Sequence, residues 1–113
     1  MKVISTEKAP AAIGPYSQGI VAGDFFFASG QIAIIPETGE IAEATIEAQT
    51  EQVMKNIGNL LAAAGVDYSK VVKTSCFLAD MGDFGAFNEI YAKYFKTGKK
   101  LCSSKDIAKE RVM

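Results

Sequence analysis

Apolar and polar positions follow two different periods along this chain. Near the start, Lys2-Val3-Ile4-Ser5 reads as a short strand and Gly19-Ile20-Val21-Ala22 as another. Gly23-Asp24 supplies a turn, and Phe25 to Ala33 reads as the return strand of a hairpin. Between the first two strands stands Ala9-Pro10-Ala11-Ala12-Ile13-Gly14-Pro15-Tyr16-Ser17-Gln18. Its prolines and glycine argue against a helix or a central strand, so it is a shaped loop with three polar side chains at its end. Pro36-Glu37-Thr38-Gly39 forms a second turn.

The period then changes. From Ile46, apolar residues recur at Val53, Ile57, Leu60, Leu61 and Ala64, close to a helical repeat. Thr45 suits the N-cap and Gly65 the position just past the end. Lys70 to Ala79 is rich in β-formers and reads as a full strand, broken by Asp80-Met81-Gly82-Asp83. A second helix spans Phe84 to Phe95, with Phe84, Phe87, Tyr91 and Tyr94 along one stripe, and Gly98 ends it. Beyond that, only Leu101-Cys102-Ser103 could extend a strand.

The order β, β, β, α, β, α predicts one α+β domain over residues 1–113, with helices on one face of its sheet. Phe25, Phe26 and Phe27 must project to alternating faces, and the Lys70–Ala79 strand is apolar on both faces in its middle. Two helices can cover one face only. The other calls for a partner, and a further copy of the same chain is the expected one.

Composition narrows the chemistry. The chain has 113 residues, 49% hydrophobic and 22% charged, which suits a globular domain. A net charge of −1 argues against a general binder of nucleic acid or anionic membranes. There is no histidine, which removes Ser-His-Asp and Cys-His catalysis and the commonest metal ligand. With two cysteines, Cys76 and Cys102, neither a zinc site nor a disulfide scaffold is expected. No signal peptide or apolar membrane span is visible, so a cytoplasmic setting is the expectation.

Several residues could carry function. Tyr16, Ser17 and Gln18 could face a ligand or be ordinary loop polar groups; the Pro/Gly frame, by fixing the loop, favours the first. Ser29-Gly30-Gln31 fits a bulge at glycine better than a close approach of backbone to a ligand. Asn88 could simply face solvent. Cysteines such as Cys76 and Cys102 are more often small buried hydrophobes than nucleophiles.

Five segments, taken together and in order, resemble the RidA (YjgF/YER057c/UK114) family. They are AIGPYSQGI, FASGQIAI, QTEQVMKNIGNLLAAAG, VVKTSCFLADMGDF and FNEIYAKYF. The resemblance implies a chorismate-mutase-like mixed sheet with two helices on one face, a homotrimer, and ligand sites in the clefts between subunits. It implies hydrolysis of reactive enamines and imines such as 2-aminoacrylate to a 2-oxo acid and ammonia, as a 2-iminobutanoate/2-iminopropanoate deaminase, without cofactor or metal. Some members are instead described as endoribonucleases or translation inhibitors, so a non-catalytic binding or regulatory module is the alternative. Position by position, Tyr16 matches the loop tyrosine of the cleft. Ser29 and Gly30 match the segment near the substrate carboxylate, Asn88 matches the helix asparagine, and Cys102 matches the family's cysteine across a gap.

The tail departs from the family. Where members read Pro-x-Arg-Ser-Cys-Val, with the arginine gripping the carboxylate, this chain reads Lys99-Lys100-Leu101-Cys102-Ser103. Lys99 or Lys100 would replace the arginine only as a point charge. Arg111 is the one arginine, and nothing aligns it with that anchor. The resemblance also implies a further strand carrying a glutamate that positions water, at or beyond Met113. Residues 99–113 are therefore an atypical tail.

Overall fold

The computed structural model describes residues 1–95 and the strand at 101–106. Three strands, β1 (Lys2–Ile4), β2 (Gly19–Ala22) and β3 (Phe25–Ala28), form an antiparallel sheet in that order. The β2–β3 turn is the expected one, with Gly23 at φ +61°, where glycine pays no steric cost. Helix α1 (Ile46–Ala63) follows, then β4 (Lys73–Leu78), α2 (Phe84–Tyr94) and β5 (Leu101–Asp106). The last strand pairs parallel to β4, Thr74 opposite Cys102, so α2 is the crossover of a β-α-β unit. The fold is thus α+β, with antiparallel and parallel pairing and two helices.

Local chemistry sets the ends of α1. The Thr45 hydroxyl accepts from the Ala48 N–H at 3.1 Å, and Gly65 takes φ +80° just past the helix. The two helices pack together over a core of Met54, Leu78, Phe87 and Tyr91. On α2 the aromatic rings follow one another from Phe84 to Phe87, Tyr91 and Phe95, with centroids 6.1, 5.1 and 4.7 Å apart. Such edge and offset contacts add about 0.5–1.5 kcal/mol each beyond area burial.

Three expected elements change length. The return strand stops at Ala28 rather than Ala33: the Ser29 N–H still bonds the Gln18 carbonyl at 2.9 Å, and beyond it the Ile32 and Ile34 carbonyls turn to Asn56 on α1. Residues beyond it form a loop with a single bridge, Ile34 to Ile41. The fourth strand starts at Lys73, not Lys70. Asp67 accepts from the Ser69 N–H at 2.9 Å and winds Tyr68–Lys70 into a 3-10 turn first. The strand at Leu101 runs on to Asp106, past the Ser103 expected.

Phe25–Phe26–Phe27 alternate as the pleat requires. Phe26 packs over Gly19, whose position leaves no room for a Cβ beside the ring. Phe25 and Phe27 lie on the other face, 61% and 62% exposed, with Val3 alongside at 62%. On β4, Thr74, Cys76 and Leu78 turn inward, the Thr74 hydroxyl 2.5 Å from that of Tyr91, while Phe77 stays 47% exposed. Both sheets therefore leave apolar rings exposed on one side.

Candidate functional site

The Pro/Gly loop and the start of the 29–42 segment meet at Ser29. Its N–H donates to the Gln18 carbonyl, and its hydroxyl donates to the Ser17 carbonyl at 2.6 Å. Tyr16 sits beside this junction, 54% exposed. Its N–H donates to the Gly14 carbonyl at 2.9 Å, and Gly14 has φ +127°, a value that favours glycine. This junction, with Tyr16 on the loop and Gly30 next to Ser29 in the chain, is the candidate wall.

Gln18 is 5% exposed and holds the loop from inside. Its Oε1 accepts from the Thr6 N–H at 2.7 Å, and its Nε2 donates to the carbonyls of Thr6, Ala9 and Pro10 at 3.0, 3.3 and 2.8 Å. Helix α1 adds a tie from outside, Asn59 Nδ2 to the Lys8 carbonyl at 2.7 Å. A groove of about 530 Å³ runs between β1 and this loop, with Thr6, Tyr16, Ser17 and Pro36 among its lining.

Asn56 performs the matching task on the 29–42 segment. Its Nδ2 donates to the Ile32 and Ile34 carbonyls at 3.0 and 2.9 Å, and its Oδ1 accepts from Gln52 Nε2 at 3.0 Å. The residue is 0% exposed. A strictly apolar reading of the α1 stripe passes over it. The available signal was an asparagine four residues before Leu60 and four after Gln52, on the side of the helix that turns inward.

Asn88 lies exposed on α2, and none of the hydrogen bonds among the described residues joins it to the Tyr16 wall. Cys102 takes its place in β5 opposite Thr74. Lys99, Lys100 and Arg111 lie outside the described residues. The shifted titrations belong to other places. Burial, followed by donation to Glu51, pushes the Tyr94 phenol up to about 12. Burial also raises Tyr68, whose hydroxyl donates to the Met54 carbonyl. Hydrogen bonds from Ser69, the side chain's first, hold Asp67 below the usual carboxylate range.

Chemically, the wall offers main-chain groups, a phenol and a seryl oxygen whose proton is committed to a carbonyl. With no histidine in the chain, Ser29 has no imidazole to activate it as a nucleophile. Such a wall can bind and orient a small polar molecule.

The family model described as Endoribonuclease L-PSP matches residues 6–106. The chain belongs to the RidA/YjgF/L-PSP family. Within that family it is 54% identical over 107 residues to the Reactive Intermediate Deaminase A, chloroplastic, of Arabidopsis thaliana, covering 95% of this chain and 57% of the relative. The chain thus spans little more than half the length of that relative. Among solved structures, RidA of an Antarctic Psychrobacter is 36% identical with a TM-score of 0.90, covering 98% of this chain and 89% of that one. TdcF of E. coli, solved with bound serine, is 36% identical with a TM-score of 0.86, covering 93% and 86%. No described helix is long and apolar enough to cross a membrane.

Proposed function

We propose that the protein is a cytoplasmic, cofactor-free deaminase that hydrolyses reactive enamines and imines, such as 2-aminoacrylate, to 2-oxo acids and ammonia. The observation that carries this is the Ser29 bonds that fasten the Tyr16-bearing loop to the 29–42 segment, in a family with a named deaminase. The serine bound to TdcF supports a ligand with a carboxylate next to a nitrogen-bearing carbon. Tyr16, Ser29, Gly30, Asn88 and Cys102 are the proposed substrate contacts.

The reaction asks little of the side chains. The enamine takes a proton on its terminal carbon and becomes an imine. Water adds to the imine carbon, its proton passing to nitrogen, and the resulting carbinolamine expels ammonia to leave the carbonyl. The protein holds the carboxylate, orients the water and stabilises developing charge, and positioning supplies much of the rate. The sites form at the boundaries of a homotrimer. That arrangement would cover the open face of Phe25 and Phe27, and it would let Asn88 reach a Tyr16 wall to which it is not bonded within the chain.

The test is direct. A serine dehydratase generates 2-aminoacrylate, and pyruvate formation is followed with and without this protein. Acceleration is expected; none from a folded, assembled sample overturns the proposal. The absence of an arginine between Lys96 and Ser104 favours a second reading, a ligand-binding module without turnover. An unpartnered buried carboxylate costs about 2–5 kcal/mol. Pyruvate binding without acceleration would select that reading, and RNA binding with a steep salt dependence would point to the family's ribonuclease descriptions instead.

A further inference from the structure

We infer that Asn56 is a positioning residue for the segment carrying Gly30, and that Gln52 reinforces the orientation of its amide. The inference rests on the deaminase reading for its consequence in turnover, but its geometry stands by itself. Gly30 has no heavy atom within 4 Å of where a Cβ would stand, apart from its chain neighbours. No neighbour fills its side-chain space, and the anchors lie on either side of it. Before it, Ser29 is bonded to Gln18 and Ser17. After it, the Ile32 and Ile34 carbonyls share one amide, Asn56 Nδ2.

Asn56 is an unusual tenant for a fully buried helix position. Burying an amide is unfavourable unless its groups are paired, and here both nitrogen protons and the oxygen are engaged. The Ile32 and Ile34 carbonyls can only accept, so they take the Asn56 nitrogen, as a neighbouring strand would otherwise serve them. The oxygen is then left to the Gln52 donor, which reinforces that orientation. The Gly30-Gln31 pair is thereby suspended between two fixed points. A further sign of this constraint is Gln31, whose Nε2 bonds the Ser29 carbonyl at 3.2 Å while its buried Oε1 has no partner among the described residues.

The decisive variant is Gln52→Glu, which keeps shape and helix propensity at a half-buried site. A carboxylate cannot donate. It draws Asn56 Nδ2 toward itself and turns Oδ1 against the Ile32 and Ile34 carbonyls. The readouts are the amide resonance of Gly30, pyruvate affinity, KM and kcat for 2-aminoacrylate, and the melting temperature. We expect a shifted Gly30 resonance, pyruvate affinity weakened and KM raised by about tenfold, kcat changed less, and a lowered melting temperature, since two part-buried carbonyls lose their donor. Gln52→Ala, which leaves the Asn56 fork in place, should shift the resonance less. An unchanged Gly30 resonance and unchanged pyruvate affinity in Gln52→Glu overturn the inference. If the resonance moves while the parent neither binds pyruvate nor accelerates its formation, the deaminase reading falls and the positioning role stands.

Discussion

Gln18 and Asn56 are both buried amides, and each holds a segment without regular structure. They differ in where they stand. Gln18 belongs to the loop it holds, and its partners are 8 to 12 residues away in sequence. Asn56 reaches from a helix to carbonyls 22 and 24 residues away. The first loop is closed by its own side chain and stiffened by Pro10 and Pro15. The second has its shape only while α1 is seated. Two walls of one candidate site therefore depend on different parts of the fold.

Removing the internal amide should break the comparison most severely. Gln18→Leu leaves the Thr6 N–H and the Thr6 and Pro10 carbonyls without partners in a part-buried setting, at a cost of about 3–5 kcal/mol. Urea denaturation measures that loss. Amide exchange should quicken around Ser29 while the Ile35 and Ala42 N–H groups, on the Asn56 side, keep their protection. A loss below 1 kcal/mol would mean that the prolines alone shape the loop.

Gly58→Ala should act on the other side, with a smaller effect. Alanine usually stabilises a helix over glycine by about 1 kcal/mol. Here the Tyr68 ring and hydroxyl occupy the space a methyl would need. A net destabilisation of about 1–3 kcal/mol is expected from overpacking, with exchange rising at Ile35 and Ala42 before the Pro/Gly loop. A rise in melting temperature would contradict it.

Alkaline titration gives the smallest effect. The folded state holds the Tyr94 proton up to about 12, against an ordinary phenol value of 10.0. Between those values the unfolded chain has lost a proton that the folded chain retains, so stability falls as pH rises through that window. Below it the contribution is fully present. Tyr94→Phe should flatten this part of the stability–pH curve. Because Glu51 lies on α1, the segment held by Asn56 should loosen before the loop held by Gln18.

What was legible in the sequence divides along the same line. Thr45 and Gly65 mark the ends of α1 because capping is a local matter, and Gly23-Asp24 places the hairpin turn for the same reason. That the loop comes close to Ser29 was within reach of the sequence, because Ser17 and Gln18 lead straight into the strand that pairs with Ala28. The overextended strand to Ala33 did not announce its end, because the groups that take its carbonyls lie on a helix far along the chain. Gln18 stayed open between ligand contact and loop polar group, because polarity alone does not tell a tether from a contact. Asn56 was missed for the complementary reason, as a polar residue in an inward stripe that its apolar neighbours define.

The Gln18 amide also reaches beyond the loop. Pairing between β1 and β2 ends with Ile4 opposite Gly19. Just past that pair, the side chain both accepts from and donates to the Thr6 backbone, as a peptide group on a neighbouring strand would. A slip of one residue would send Gln18 to the opposite face and abandon all four of its bonds. The amide thus acts as a register pin. It proofreads the alignment of the first two strands during folding, where short strands by themselves carry little information about which neighbour belongs opposite which.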